Sequence, residues 1–248
     1  MQHRNWPHPR IIGHRGGGTL APENTLAGIR KAAELGLGGV EFDVMLSADK
    51  IPVLIHDETL ERTTDGRGSI AATTYAELVG LDAGAWFGPA YRGERIPTLE
   101  QAAKTCIELG LWANVEIKPA GGFERETASV VTRFIAEWWA GAPHKPLLSS
   151  FRGACLEVAQ ASAPAFERGY LTDRIEQGWR ESAQRLGCVS VHCNSKHLTE
   201  AQADDVKRSG YWLLCYTVND TDIARRLLSW GVDAIFTDRL DLFAPGFA

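Results

Sequence analysis

Short apolar runs of β type alternate with helical stretches along nearly the whole chain, and few architectures accept that rhythm. Strands are expected at residues 10–14, 39–44, 112–118, 147–151, 167–171, 189–193, 211–218 and 234–237. Helical patterns lie between them at 25–35, 99–109, 125–139, 152–161, 177–186, 199–209 and 221–230. Gly36, Gly110, Gly187, Gly210 and Gly231 each close one of these patterns, as a left-handed C-terminal cap requires. Eight strands separated by seven helices, with residues 239–248 to close, favour a (β/α)8 barrel of the α/β class over an open doubly wound sheet. The 248 residues suit one such barrel, and no internal repeat or low-complexity tract divides them. Residues 1–248 therefore read as a single domain.

One segment breaks the alternation. The turn at residues 47–50 is too short for a helix, and another apolar run, 52–56, follows it. Residues 41–56 therefore read as a hairpin in which His56 falls roughly opposite Glu41, unless a one-residue bulge shifts the register. Residues 57–97 then form an insertion with one short helical pattern, 74–81. An insertion of this length inside a barrel is commonly functional. Its Trp86, Phe87 and Tyr91 either wall a pocket or anchor the loop to the barrel.

In a strand, residues i and i+2 share a face. Glu41 and Asp43 therefore point one way while Val40, Phe42 and Val44 point the other. The next parallel strand places Glu116 and Lys118 on a common face in the same manner. Burying three acids without compensation costs several kcal/mol each, so they must share a cation, hold protons or pair with basic side chains. Two such pairs at the C-terminal ends of adjacent barrel strands, where barrel enzymes do their chemistry, favour a hard divalent cation bound by oxygen.

His14 ends the first strand and is followed by Arg15 and three glycines, a loop able to approach a ligand closely. His56 ends the hairpin. Two imidazoles beside a cation suit proton delivery and removal, although a lone strand-end histidine is usually structural. Arg15 and Lys118 add positive charge where the acids converge, which fits an anion of phosphate size. Cys188, His192 and Cys193 do not make a zinc site, because strand alternation turns Cys193 away from His192. No Gly-x-Ser-x-Gly elbow is present.

The formal net charge of −5 disfavours broad binding to nucleic acid or an anionic membrane. No stretch approaches the roughly 18 apolar residues of a membrane helix, and the first ten residues carry no apolar leader segment. Five cysteines at irregular spacing do not form a disulfide framework, so a reducing, cytoplasmic location is expected.

Read together, His14-Arg15-Gly16, Ala21-Pro22-Glu23-Asn24-Thr25, Glu41-Phe42-Asp43-Val44, His56-Asp57, Glu116-Ile117-Lys118-Pro119, Ser149-Ser150-Phe151, Tyr216-Thr217-Val218-Asn219 and Phe236-Thr237-Asp238 follow in order. In this series the chain resembles the glycerophosphodiester phosphodiesterases over essentially its whole length, and in particular the cytoplasmic bacterial enzymes associated with glycerol-3-phosphate uptake. The resemblance implies a TIM barrel that hydrolyses glycerophosphodiesters such as glycerophosphocholine or glycerophosphoethanolamine to sn-glycerol 3-phosphate and an alcohol. It assigns Glu41, Asp43 and Glu116 to one divalent cation, with Mg2+ favoured over Ca2+. His14 and His56 become the acid–base pair, and Arg15 and Lys118 bind the phosphate. Glu23 and Asn24 lie in the matching substrate loop, where Asn24 could equally cap a helix. Tyr216 stands where many relatives have tryptophan, keeping an aromatic wall for the glycerol carbons. The substrate's own glycerol 2-hydroxyl is implied as a first nucleophile, giving a cyclic phosphate that water then opens. The partner expected is the small-molecule substrate, with neither nucleic acid nor a stable membrane association. Two other enzyme readings compete: a lysophospholipase D-type lipid phosphodiesterase, and a barrel lyase or aldolase forming a Schiff base on Lys118.

Overall fold

The computed structural model describes residues 5–243 and Phe247. The strands are β1 (Ile11–Gly13), β2 (Gly39–Leu46), β3 (Pro52–Leu54), β4 (Trp112–Ile117), β5 (Leu147–Ser150), β6 (Glu167–Thr172), β7 (Ser190–Asn194), β8 (Trp212–Tyr216) and β9 (Ala234–Thr237). All but β3 pair in parallel, and the β1–β2 pairing closes them into an eight-stranded TIM barrel. Around it lie α1 (Leu26–Glu34), α3 (Leu99–Glu108), α4 (Glu124–Trp138), α5 (Gly153–Ser162), α6 (Trp179–Arg185), α7 (Glu200–Arg208) and α8 (Thr221–Ser229), while a short α2 (Tyr75–Leu78) belongs to the insertion. After β9 the described residues hold one 3-10 turn, Leu240–Leu242, and no eighth outer helix. The five glycines expected to end helices all take positive φ, between 60° and 89°. The closing segment falls partly outside the described residues, as do the first four residues of the chain.

Alternation along the strands sorts the side chains into two cores. Val40, Phe42, Val44, Val115 and Ile117 face outward and are buried with Ile29, Ala102 and Val131 of the helices. Each fully buried side chain of this kind contributes about 1.5–3 kcal/mol relative to exposure. Ile12, Trp112, Leu147, Trp212, Leu214, Ala234 and Phe236 fill the barrel itself. Trp6 meets Trp112 and Trp212 edge-on, at 5.7 and 5.2 Å between ring centroids, where those two strands begin. Trp112, Leu147, Trp212 and Ala234 begin their strands, so most of this apolar filling occupies the N-terminal end of the barrel, while Phe236 reaches the cavity at the other end.

The hairpin register differs from the expectation by one residue. Val44 pairs with Leu54 and Leu46 with Pro52. The Ile55 amide donates to the Asp43 carbonyl at 3.1 Å, so His56 comes level with Phe42 rather than Glu41. The cause is the turn: Lys50 adopts φ 64°, adding a left-handed residue to make a three-residue loop between Ser47 and Ile51.

Residues 57–97 fold over a small core of their own, in which Leu60, Ile70, Leu78, Ala83 and Ile96 pack on Met45, Val53 and Ile55 of the hairpin. The helical pattern expected at 74–81 shrinks to Tyr75–Leu78, preceded by a 3-10 turn at Ile70–Ala72. Trp86, Phe87 and Tyr91 do not wall the main cavity. They stack edge-to-face on one another, and the Tyr91 hydroxyl donates to the Leu20 carbonyl at 3.0 Å, so they anchor the loop.

Candidate active site

Most of the charged side chains of the cavity stand near the C-terminal end of a strand or in the loop just beyond it, while Glu41 sits earlier, in the first half of β2. Glu41 and Asp43 project inward from β2, Glu116 from β4, and Lys118 follows β4 directly. His14 and Arg15 follow β1, whose register the His14 amide extends by donating to the Thr237 carbonyl at 2.9 Å. With His56 and Tyr216 they line one cavity of about 630 Å3.

Glu41, Asp43 and Glu116 are buried, and each offers an oxygen within 4.8 Å of the others. Burial together with the charge of Asp43 pushes the Glu41 carboxyl up to about 7. The same two causes hold Glu116 well above the usual carboxylate range. Burial opposes ionisation of Asp43 too, but the charges of Lys118, His56 and Arg15 and the amide of Asn24 bring it down to about 2. Lys118 Nζ lies 3.1 Å from Asp43 and 3.8 Å from Glu116, and Arg15 Nε lies 3.7 Å from Asp43. These two cations do not balance the acids, because Arg15 also serves Glu23 at 2.8 Å. Crowded carboxylates that resist joint ionisation are a donor set for a hard divalent cation.

Both imidazoles are held by carboxylates. His14 Nδ1 donates to Asp238 Oδ1 at 2.7 Å, and His56 Nδ1 donates to Asp57 Oδ1 at 2.6 Å. Each ring thereby keeps Nε2 for other partners, and His14 Nε2 is 4.0 Å from Glu41. Burial would lower His14, but the hydrogen bond to Asp238 and the charges of Glu41 and Asp238 raise it above the ordinary value. Burial prevails at His56, helped by Arg15 and Lys118, and lowers it. Asp238 is itself fixed by Asn219, whose Nδ2 donates to Oδ2 at 2.9 Å. The glycine loop presses on the same residue: a Cβ on Gly18, which has φ +55°, would meet the Asp238 carbonyl oxygen at 2.3 Å.

Glu23 and Asn24 do not reach the main cavity; they border a small hollow behind it. Asn24 does not cap α1. That cap is Thr25, whose side chain accepts from the Gly28 amide. The Asn24 amide instead brackets Asp43, donating to Oδ2 at 2.9 Å and accepting from the Asp43 backbone at 3.0 Å, with φ 55°. Glu23 spends its carboxylate on Arg15 and Arg62. Tyr216 does line the cavity, its ring edge-on to Phe151 at 5.9 Å and its hydroxyl donating to the Thr172 carbonyl at 2.9 Å.

Asp57, Asp238, Asn219 and Arg62 were not singled out as site residues by sequence reasoning. Asp57 and Asp238 carried a signal, since each stands inside one of the short motifs at a strand end; Arg62 carried none. Lys196, on the far wall of the cavity, has no carboxylate within 4.0 Å among the described residues.

Carboxylates, imidazoles and fixed positive charge at the C-terminal mouth of a barrel suit an enzyme acting on a phosphate ester. Residues 14–242 match the model of the Glycerophosphoryl diester phosphodiesterase family, and the chain belongs to that family. A glycerophosphodiester phosphodiesterase of Caldanaerobacter subterraneus is 33% identical over 233 residues, 92% of this chain and 93% of the relative. An Oleispira antarctica phosphodiesterase, solved in complex with the product sn-glycerol-3-phosphate, superposes with a TM-score of 0.91 at 41% identity, covering 93% of each chain. A glycerophosphodiester phosphodiesterase from Thermotoga maritima superposes with a TM-score of 0.71 at 27% identity, covering 96% of this chain and 98% of that one. Among the described residues no helix is long and apolar enough to cross a membrane.

Proposed function

We propose that this chain hydrolyses glycerophosphodiesters, including glycerophosphocholine and glycerophosphoethanolamine, to sn-glycerol 3-phosphate and an alcohol with the help of one divalent cation. The observation that carries the reading is the cluster of three buried carboxylates in one cavity with two carboxylate-held imidazoles. Glu41, Asp43 and Glu116 hold the cation, and Mg2+ is favoured. When bound, the cation would supply Lewis-acid stabilisation of negative charge on the phosphoryl oxygens.

Arg15 and Lys118 orient the phosphate and offset its charge from fixed positions, which is electrostatic work done without covalent attachment. One imidazole gives a proton to the oxygen of the departing alcohol while the other takes one from the attacking hydroxyl, which is either water itself or the substrate's glycerol 2-hydroxyl, whose cyclic phosphate water then opens. Asp238 and Asp57 fix the tautomers, so that Nε2 of each ring faces the reaction. Tyr216 and Phe151 exclude water from the carbon skeleton of the substrate. A Schiff base on Lys118 would break the hydrogen bond its nitrogen donates to Asp43 at 3.1 Å, which weighs against that reading. The test is release of sn-glycerol 3-phosphate from glycerophosphocholine and glycerophosphoethanolamine. Treatment with a chelator should abolish release, and adding back Mg2+ or Ca2+ singly should restore it; release that persists in chelator refutes the cation's part.

A further inference from the structure

Arg62 comes from the insertion, and its guanidinium grips two carboxylates that serve different parts of the site. Nε and Nη2 donate to Asp57 Oδ2 and Oδ1 at 2.5 and 3.1 Å. Nη1 and Nη2 donate to Glu23 Oε2 and Oε1 at 2.7 and 2.8 Å. Asp57 is the partner of the His56 imidazole, and Glu23 Oε1 is the acceptor for Arg15 Nη1. A continuous row of alternating charge therefore runs Arg15–Glu23–Arg62–Asp57–His56, linking a phosphate-facing guanidinium to an imidazole of the acid–base pair.

The insertion is built to deliver this side chain. Leu60 is buried in the insertion's core, its amide donates to the Gly68 carbonyl at 3.0 Å, and its carbonyl accepts from the Thr64 hydroxyl at 2.7 Å. Arg62 is thus held between two pinned residues. Its own side chain is 44% exposed, and ion pairs at that exposure contribute little to stability. A planar fork satisfying two carboxylates at once fixes geometry, and lysine cannot reproduce it.

We propose that Arg62 is a positioning residue that sets Arg15 and His56 as one unit, so that the insertion completes the active site. The proposal rests on the phosphodiesterase reading above and deepens it. Because the fork acts through Asp57 on His56 and through Glu23 on Arg15, its two arms separate in steady-state kinetics.

The experiment measures kcat and KM for glycerophosphocholine, with thermal unfolding, in the full chain. Arg62→Met should lower kcat and raise KM, each by about tenfold or more, as loss of an outer partner does elsewhere. Asp57→Asn should reproduce mainly the fall in kcat, and Glu23→Gln mainly the rise in KM. The double variant Arg62→Met/Asp57→Asn should keep the kcat of Asp57→Asn within about twofold, since the two act through one contact. Arg62→Lys should recover only part of the loss. Arg95→Met serves as the folding control, because Arg95 pins the insertion through the Gly80 and Leu81 carbonyls at 2.8 and 2.9 Å without touching the site; it should leave both parameters within about twofold. Wild-type kinetics in Arg62→Met, fully multiplicative kcat losses in the double variant, or an Arg95→Met defect matching that of Arg62→Met would each overturn the proposal while leaving the activity intact. A wild-type chain that releases no glycerol 3-phosphate would instead overturn the activity, and this proposal with it.

Discussion

His14 and Asp238 stand 224 residues apart in sequence, yet His14 Nδ1 lies 2.7 Å from Asp238 Oδ1. Closure of the barrel makes the contact, since β1 pairs with β9 and His14 and Asp238 each follow the last residue of its strand. Asp238→Asn keeps the size of the side chain but replaces one of its two acceptor oxygens by an NH2, so it cannot accept from both His14 and Asn219, and the negative charge beside the imidazole is lost. We expect kcat to fall about 10–100-fold with KM little changed, read by steady-state kinetics. Unaltered kcat would show that the pair only braces the loop.

His14→Ala and His56→Ala should each lose about 10²–10⁴-fold in kcat, the usual share of general acid–base catalysis. Neither ring belongs to the apolar cores, so circular dichroism and the melting temperature should stay close to wild type. Near-normal turnover in either variant refutes the role given to that ring.

Asn24→Gly tests the bracket on Asp43 cleanly. Glycine accepts the φ of 55° without strain, so only the two amide contacts are lost. Affinity for the divalent cation, measured by titration calorimetry on chelator-treated protein, should weaken about 10–100-fold. Unchanged affinity would mean that Asp43 needs no such support.

His192 predicts a pH dependence of stability that is separate from catalysis. It is fully buried inside the barrel, over Gly169, where a Cβ would lie 2.5 Å from its ring, and burial lowers its pKa from 6.5 to about 3. Between those values the unfolded chain binds a proton that the folded chain refuses, so stability is full above about pH 6.5 and falls as the pH drops. The slope from this one group approaches about 1.4 kcal/mol per pH unit. His192→Gln, compared with wild type by denaturant unfolding from pH 7 to pH 4, should flatten that acid limb. Parallel curves would contradict the assignment.

Local chemistry made much of this molecule legible in sequence. The glycine caps and apolar runs located the barrel strands, because both signals depend on neighbouring residues alone. Glu41 with Asp43, and Glu116 with Lys118, could be placed on common faces because strand alternation is rigid. What could not be read depends on closure and on single backbone angles. Nothing near Asp238 announces His14, and nothing near Arg62 announces Glu23. The left-handed Lys50 moved His56 by one position. Residue type left Asn24 equally suited to a cap and to the substrate loop, yet the next residue, Thr25, caps the helix and frees Asn24 for Asp43.

The central claim is that Glu41, Asp43 and Glu116 jointly hold a divalent cation, and calorimetric titration of Mg2+ into the chelator-treated chain tests it most directly. One ion should bind per chain, and Glu116→Gln should weaken that binding at least a hundredfold while the chain stays folded. A wild-type titration without binding, or equal affinity in Glu116→Gln, would contradict the account.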